Sequence, residues 1–134
     1  MTNSENTIFP KGDPAPADYF TGTTWLSMLL PNDTTLNCQV GNVTFEAGAR
    51  NNWHTHSGGQ ILLVTDGIGY YQEQGNAIRE IRKGDIIKIL PHVVHWHGAS
   101  HNTAMTHIAI NPNTQHGMVT WLQRVTDEEY NSVQ

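Results

Sequence analysis

The chain has few of the features that would place it in a membrane, on a nucleic acid or in an oxidising compartment. Its single cysteine, Cys38, cannot form an internal disulfide, so we expect a reducing, cytoplasmic location. Seven Lys and Arg stand against twelve Asp and Glu, and the basic residues are scattered, which predicts neither a nucleic-acid partner nor a membrane surface. No apolar run is long enough for a membrane span. The first residues do not show a basic segment followed by an apolar one, so we expect no secretory signal.

Histidine, in contrast, is abundant and clustered. Six of the eight histidines lie within residues 54–56 and 92–101. Histidine is the commonest metal ligand and the usual acid–base group near neutral pH. The two clusters therefore indicate a functional site built from two separate parts of the chain.

Short apolar segments separated by turn residues make up most of the chain from residue 24 to residue 110. The separators, such as Asp66-Gly67 and Gly75-Asn76, tolerate turn dihedral angles. Many short strands at this spacing are typical of a sandwich or a small barrel, so we predict an all-β fold. The predicted strands are Thr24–Leu30, Leu36–Phe45, Ile61–Thr65, Ile68–Glu73, Ala77–Arg82, Asp85–Leu90 and Thr103–Ile110.

The two ends of the chain differ from this central part. The first 22 residues contain Pro10, Pro14 and Pro16 and are predicted to form an arm over the surface. The barrel would occupy about residues 23–112, and residues 113–134 would form a C-terminal segment of the same single domain. Thr126 precedes three acidic residues, a pattern that predicts a helix N-cap followed by a short helix.

The alternation of residues along two strands predicts a homodimer or a higher homo-oligomer. If Gln60 and His107 face inward, then Ile61 and Ile108 face outward, and both faces of the sheet are apolar. A sheet that is apolar on both faces must be covered twice, and a small domain has little but another subunit to cover the outer one. We also expect the arm near residues 19–24 to cross to that partner.

A set of potential metal ligands has regular spacing. His54 and His56 share one face of a strand, because residues i and i+2 point the same way. Gln60 can join them if Ser57-Gly58-Gly59 forms a tight turn, and His95 is the best-placed fourth ligand. Three imidazoles and one amide oxygen, with coordination positions left for water or substrate, suit one divalent transition metal ion.

These spacings resemble the two sequence motifs of the cupin family. The first, Gly-x5-His-x-His-x3-Glu-x6-Gly, fits from Gly48 to Gly67, with Gln60 in the Glu position. The second, Gly-x5-Pro-x-Gly-x2-His-x3-Asn, fits at Gly84 and His95. In this motif Leu90, His92 and Ala99 replace the usual Pro, Gly and Asn. The resemblance implies a conical antiparallel β-barrel, or jelly roll, with the metal inside.

A closer resemblance, carried by strings such as NNWHTH, HWHGA and TAMTHIAI, is to small single-domain bacterial cupins that include manganese-dependent hydroxynitrile lyases. It implies metal ligation by His54, His56, Gln60 and His95, with His107, His97 and Arg50 as the catalytic residues. In that role His97 or His107 would move the proton, and Arg50 would act as a substrate clamp that holds an anionic group. Structural alternatives stay open for the last two: His97 as a core histidine bonded to a carbonyl, and Arg50 in a salt bridge at the rim.

The remaining histidines and the tryptophans carry no functional prediction. We expect the histidines at 92, 101 and 116 to lie on the surface and the four tryptophans to serve in core or interface packing.

The glutamine at position 60 favours one type of chemistry. With four neutral ligands a divalent ion keeps its full charge, which strengthens it as a Lewis acid and makes higher oxidation states harder to reach. We therefore predict a metal-dependent lyase-like enzyme acting on a small hydroxy or carbonyl compound, with manganese favoured and iron, zinc or nickel as alternatives. A metal-dependent dioxygenase and a non-enzymatic cupin that binds a small molecule are the two other hypotheses.

Overall fold

The computed structural model describes residues 8–133, which contain twelve strands and one short α-helix. Among these residues no helix is long and apolar enough to cross a membrane. The strands are β1 (Asp13–Pro14), β2 (Phe20–Thr21), β3 (Thr24–Asp33), β4 (Cys38–Phe45), β5 (Arg50–Asn51), β6 (His54–His56), β7 (Gln60–Glu73), β8 (Arg79–Arg82), β9 (Ile86–Ile89), β10 (His95–Ala99), β11 (Met105–Pro112) and β12 (Val119–Trp121), and the helix is α1 (Asp127–Tyr130).

All the strand pairs are antiparallel, and the long strand β7 joins the two halves of a curled sheet. Its first part pairs with β11 and β9, and β11 continues the sheet through β4 and β3. Its second part pairs with β8 and β10, and β10 continues through β5 and β6. This arrangement confirms the predicted all-β antiparallel barrel.

The predicted turn at Asp66-Gly67 is wrong, because β7 runs through it as one strand. Strand pairing continues on both sides, with Met105 opposite Gly67 and Arg82 opposite Ile68. Gly67 has a φ of +80°, and a Cβ atom there would lie 1.9 Å from the carbonyl oxygen of Ala104. This glycine bends the strand from one half of the sheet into the other instead of ending it.

The inside of the barrel holds an apolar core, and the alternation along β7 is as predicted. Leu62 and Val64 are buried, whereas Ile61 and Leu63 on the other face are partly exposed. A second apolar cluster packs the C-terminal segment against the outside of β10 and β7. The first cluster includes Phe45, Leu62, Ile81, Ile87, Ile89 and Met105, and the second consists of Trp53, Tyr70, Trp96, Val125 and Tyr130.

Both ends of the described chain pack on the barrel. The predicted helix is confirmed: Thr126 caps α1, and its hydroxyl accepts from the backbone N–H of Glu129 in a capping box. In the single chain β2 pairs with β5 of its own barrel, and the expected crossing of residues 19–24 to a partner subunit stays a prediction. The Tyr19 carbonyl also accepts from the backbone N–H of Asn52 at 2.9 Å. Residues 1–7 of the predicted arm lie outside the described residues.

Candidate metal centre

The fold brings the four predicted ligands together from three strands. His54 and His56 are on β6, Gln60 begins β7, and His95 begins β10 directly opposite His54. The tight turn expected between His56 and Gln60 is present, with the backbone N–H of Gly59 donating to the His56 carbonyl. Gly58 has to be glycine here, because a Cβ atom would lie 2.2 Å from the carbonyl oxygen of Pro112.

Two of the imidazoles have their tautomers fixed by backbone carbonyls. Nδ1 of His54 donates to the carbonyl of Asn52 at 2.7 Å, and Nδ1 of His95 donates to the carbonyl of Val93 at 2.9 Å. Since a carbonyl only accepts, the proton is on Nδ1 and each Nε2 carries a lone pair. Metal-binding histidines are typically oriented by such a bond from the second ring nitrogen.

His56 contributes a buried nitrogen that has no partner among the described residues. Its Nε2 accepts or donates no hydrogen bond there, and its ring centroid is 5.1 Å from that of His54. Burial, and to a smaller extent repulsion from His95, lowers the pKa of His56 to about 3. Burial also lowers the pKa of His95 to about 4. Burial also holds the pKa of His54 well below its usual value. All three imidazoles are therefore neutral near pH 7, the form that binds metal.

The amide of Gln60 presents its oxygen to the same point. Its Oε1 lies 3.3 Å from Nε2 of His95, while its Nε2 donates to Oδ1 of Asn111. The amide oxygen therefore faces a nitrogen lone pair, an arrangement of two acceptors that a cation between them would stabilise. This contact and the unpartnered nitrogen of His56 fit a metal held by the four predicted residues.

His97 lies in the same cluster but has other partners. Ligand nitrogens of His54, His95 and His97 are all within 4.8 Å of one another. The Asn51 amide is oriented by its oxygen, which accepts from the backbone N–H of His97, so its Nδ2 donates to the His97 ring, 3.3 Å from Nε2. Nδ1 of His97 then donates to Nε2 of His107 at 3.0 Å.

The His97–His107 pair is fully buried. Burial, with repulsion from the His107 ring, holds the pKa of His97 well below its usual value, and burial lowers the pKa of His107 to about 4. Because both rings are neutral near pH 7, the pair shares one hydrogen-bonded proton beside the ligand cluster. Such a pair can accept or deliver a proton at the site.

A cavity of about 310 Å³ opens beside the histidines and has mostly apolar walls. The arm contributes Tyr19 and Phe20, and the C-terminal segment contributes Trp121, whose ring stacks on Tyr19 with centroids 4.7 Å apart. Trp121 thus lines the cavity, in addition to the packing role expected of it. Among the described residues that line the cavity, none is Lys, Arg, Asp or Glu. The cavity suits an uncharged molecule with an apolar substituent.

The position of Arg50 favours its structural alternative over a substrate clamp. Its guanidinium group is buried, donates to the Asp127 carboxylate at 2.7 Å and to the Val125 carbonyl at 3.1 Å, and lies over the ring of Tyr130. None of these groups lines the cavity. Arg50 therefore holds the C-terminal segment to the barrel, and its expected contact with substrate stays a prediction.

Sequence reasoning did not identify the residues that orient the site. These are amides and one indole: Asn51 beside His97, Asn111 and Gln39 behind Gln60, and Trp121 beside His54. Such residues have no motif spacing, because their contacts depend on the register between distant strands. The three histidines predicted to be on the surface, at 92, 101 and 116, are exposed.

Comparison with known proteins agrees with this geometry. Residues 41–111 match the cupin domain family model. The chain is 46% identical over 115 residues to an (R)-mandelonitrile lyase from Granulicella tundricola, which covers 86% of this chain and 88% of that protein. A crystal structure of a cupin-like protein from Thermotoga maritima superposes with a TM-score of 0.92 and 45% identity, covering 96% and 98% of the two chains.

A more distant structure shares the fold alone. A cupin 2 conserved barrel domain protein from Rhodopseudomonas palustris has a TM-score of 0.67 at 18% identity, covering 87% of this chain and 77% of that one. The matched family model and the relatives of similar length extend over most of the described barrel. This chain belongs to the cupin family.

Proposed function

We propose that this protein is a metal-dependent lyase that interconverts a small, uncharged hydroxy compound and its carbonyl partner. The observation that carries the proposal is the neutral ligand set beside a buried histidine pair. His54, His56, Gln60 and His95 would hold one divalent ion, and none of them brings a negative charge. Bound there, the ion supplies a Lewis acid toward an alcohol or carbonyl oxygen.

The chain's own residues supply the proton transfer. In the cleavage direction, the His97–His107 pair removes the hydroxyl proton, the adjacent carbon–carbon bond breaks, and a carbonyl compound forms. The same proton is then delivered to the departing anion, so that the pair returns to its neutral state. The relative from Granulicella tundricola is an (R)-mandelonitrile lyase, which supports a cyanohydrin as the hydroxy compound and cyanide as the departing anion.

The cavity walls support the same substrate type. Phe20, Phe45 and Trp121 offer apolar and aromatic surface for a substituent beside the histidines. A substrate with a carboxylate would find no cationic side chain among the described residues of the wall. We therefore expect recognition by shape and apolar contact rather than by an ion pair.

Manganese is the ion that we propose, with iron, zinc and nickel as alternatives, because donor type alone does not separate these metals. The single free cysteine remains the basis for a cytoplasmic location. Metal analysis of the purified protein identifies the ion directly. A protein purified without any transition metal and unable to bind manganese would contradict the proposal.

Turnover of mandelonitrile without oxygen tests the reaction type. The manganese-loaded protein should release aldehyde at the same rate in strictly anaerobic buffer, and should keep activity at a changed rate when zinc replaces manganese. His107→Ala should lower kcat by about 10²–10⁴ with unchanged metal content, whereas His116→Ala, at an exposed histidine, should change neither. Product formation that consumes oxygen in proportion would indicate a dioxygenase. Binding of the molecule at the site without turnover would indicate a binding protein.

A further inference from the structure

The Gln60 side chain poses a problem of orientation that a carboxylate at this position would not. A carboxylate has two equivalent oxygens, so either can face a metal. An amide has one oxygen and one NH₂ group, and only the oxygen is a ligand. A cupin with glutamine here therefore needs something to decide which end of the amide faces the histidines.

A chain of three hydrogen-bonded side-chain amides, called the relay below, sets the orientation of Gln60. Gln60 Nε2 donates to Oδ1 of Asn111 at 3.0 Å, and Asn111 Nδ2 donates to Oε1 of Gln39 at 3.0 Å. The NH₂ groups of Gln60 and Asn111 thus each have an acceptor, and Gln60 Oε1 is the end that faces His95. Gln39, Asn111 and Gln60 come from β4, β11 and β7, three neighbouring strands of one sheet.

Without the relay the amide would turn over in the metal-free protein. His95 donates from Nδ1 to the Val93 carbonyl, so its Nε2 is an acceptor. The NH₂ group of Gln60 would bond this nitrogen, whereas the observed oxygen only faces it at 3.3 Å. A metal would then have to break that bond and turn the amide before it could bind.

We propose that Asn111, itself oriented by Gln39, is the positioning residue that turns the Gln60 oxygen toward the metal centre. The inference rests on the proposed metal centre and adds a determinant of its affinity. Residues that orient metal ligands typically change metal affinity by about 10–100-fold when they are removed. The expected loss for Asn111→Leu, which keeps the side-chain size and removes both polar groups, is about 10-fold in manganese affinity.

A double-mutant cycle with Gln60→Glu tests the proposal. Manganese affinity is measured by competition titration for the wild type, Asn111→Leu, Gln60→Glu and the double variant, and folding is checked by circular dichroism. Glutamate presents an oxygen in either orientation, so Asn111→Leu should weaken binding about 10-fold with Gln60 and less than about 3-fold with the glutamate. Equal losses in the two backgrounds, or no loss with Gln60, would overturn the proposal.

Two further measurements keep the result unambiguous. If Asn111→Leu does not fold, Gln39→Met replaces it, because it removes the acceptor that orients Asn111. The same dependence on the residue at position 60 is expected, and its absence would count against the relay. If the wild type binds no manganese, the metal centre of the proposed function fails. A wild type that binds while the cycle shows no coupling refutes the relay alone.

Discussion

At the scale of single residues, the candidate site is oriented by short local bonds and by distant amides. His54 and His95 each donate to the carbonyl two residues earlier in the chain. This shared device fixes both tautomers and depends only on local backbone geometry. Gln60 and His97 instead depend on Asn111 and Asn51, whose contacts cross between strands. The ligand residues could be predicted from spacing, but these partners could not.

His92 allows a prediction about stability. It occupies the position where the second cupin motif has glycine, and its φ of +67° is in the left-handed region. Its backbone N–H donates to the His56 carbonyl at 3.1 Å, so the strained loop lies against the ligand strand. Replacing His92 with glycine should raise the free energy of unfolding by about 0.5–1 kcal/mol, because glycine adopts this conformation without a Cβ clash.

Denaturant unfolding of the His92→Gly variant measures this effect. His116→Gly is the control, since His116 is also an exposed histidine, at the end of a short 3-10 helix (Thr114–His116), but has no positive φ. The control should lose stability or leave it unchanged. A His92→Gly variant that is less stable than the wild type would show that the side chain, and not the backbone, determines stability here.

At the scale of elements, the sequence predicted most strands and the final helix but not how some segments connect. The apolar alternation of β7 was sufficient to predict which residues face inward. Asp66-Gly67 was misread because a bend within a strand uses the same residues as a turn, and only pairing with β10 and β11 distinguishes the two. The ion-pair partner of Arg50 could not be predicted from the sequence either, because Asp127 lies far along the chain.

The anchoring role of Arg50 predicts a change in stability rather than in substrate binding. Arg50→Met should lower the free energy of unfolding by about 2–3 kcal/mol, because it removes three hydrogen bonds of a buried guanidinium and releases the C-terminal segment. Arg124→Met, at an exposed position, is the control and should change little. Thermal unfolding and steady-state kinetics together separate the roles. An increased KM with unchanged stability of Arg50→Met would instead support the role of Arg50 as a substrate clamp.

At the scale of the whole molecule, one face of the sheet remains apolar on the outside. Ile61, Leu63, Ile108 and Ile110 are only partly buried, and Ile86 at the neighbouring strand is 67% exposed. These residues lie on β7, β11 and β9, which are adjacent. An apolar sheet face of this kind is a typical surface for a second subunit.

We therefore predict a homodimer through this face. Analytical ultracentrifugation at micromolar concentration should give twice the mass of one chain, and Leu63→Glu should shift the protein toward the monomer. Leu36→Glu, at an exposed position in the turn between β3 and β4, should leave the dimer intact. A monomeric mass for the wild type would refute the prediction.

The buried histidines also predict how the stability of the metal-free protein depends on pH. The folded pKa values of His56, His95 and His107 lie below the unfolded value of 6.5, at about 3, 4 and 4. As the pH falls below 6.5, the unfolded chain binds protons that the folded chain does not, so stability present above pH 6.5 is lost. At pH 4.5 each of these histidines should have lowered the free energy of unfolding by about 2–3 kcal/mol relative to pH 6.5 and above.

Urea unfolding of metal-free protein between pH 7.5 and pH 4.5 measures this loss. His107→Gln removes one of the titrating groups and should give a shallower decline with falling pH than the wild type. Equal slopes for the two proteins, or a stability that does not change from pH 7.5 to pH 4.5, would contradict the assigned burial of these rings.

The metal centre is tested most directly by anomalous diffraction from crystals of the manganese-loaded protein, recorded at the manganese absorption edge. We predict one strong peak inside the barrel, within about 2.0–2.3 Å of the ring nitrogens of His54, His56 and His95 and of the Gln60 amide oxygen. His97 should remain bonded to His107 and outside the coordination shell. No peak in the barrel, or a peak held by His54, His95 and His97 with His56 turned away, would contradict the account.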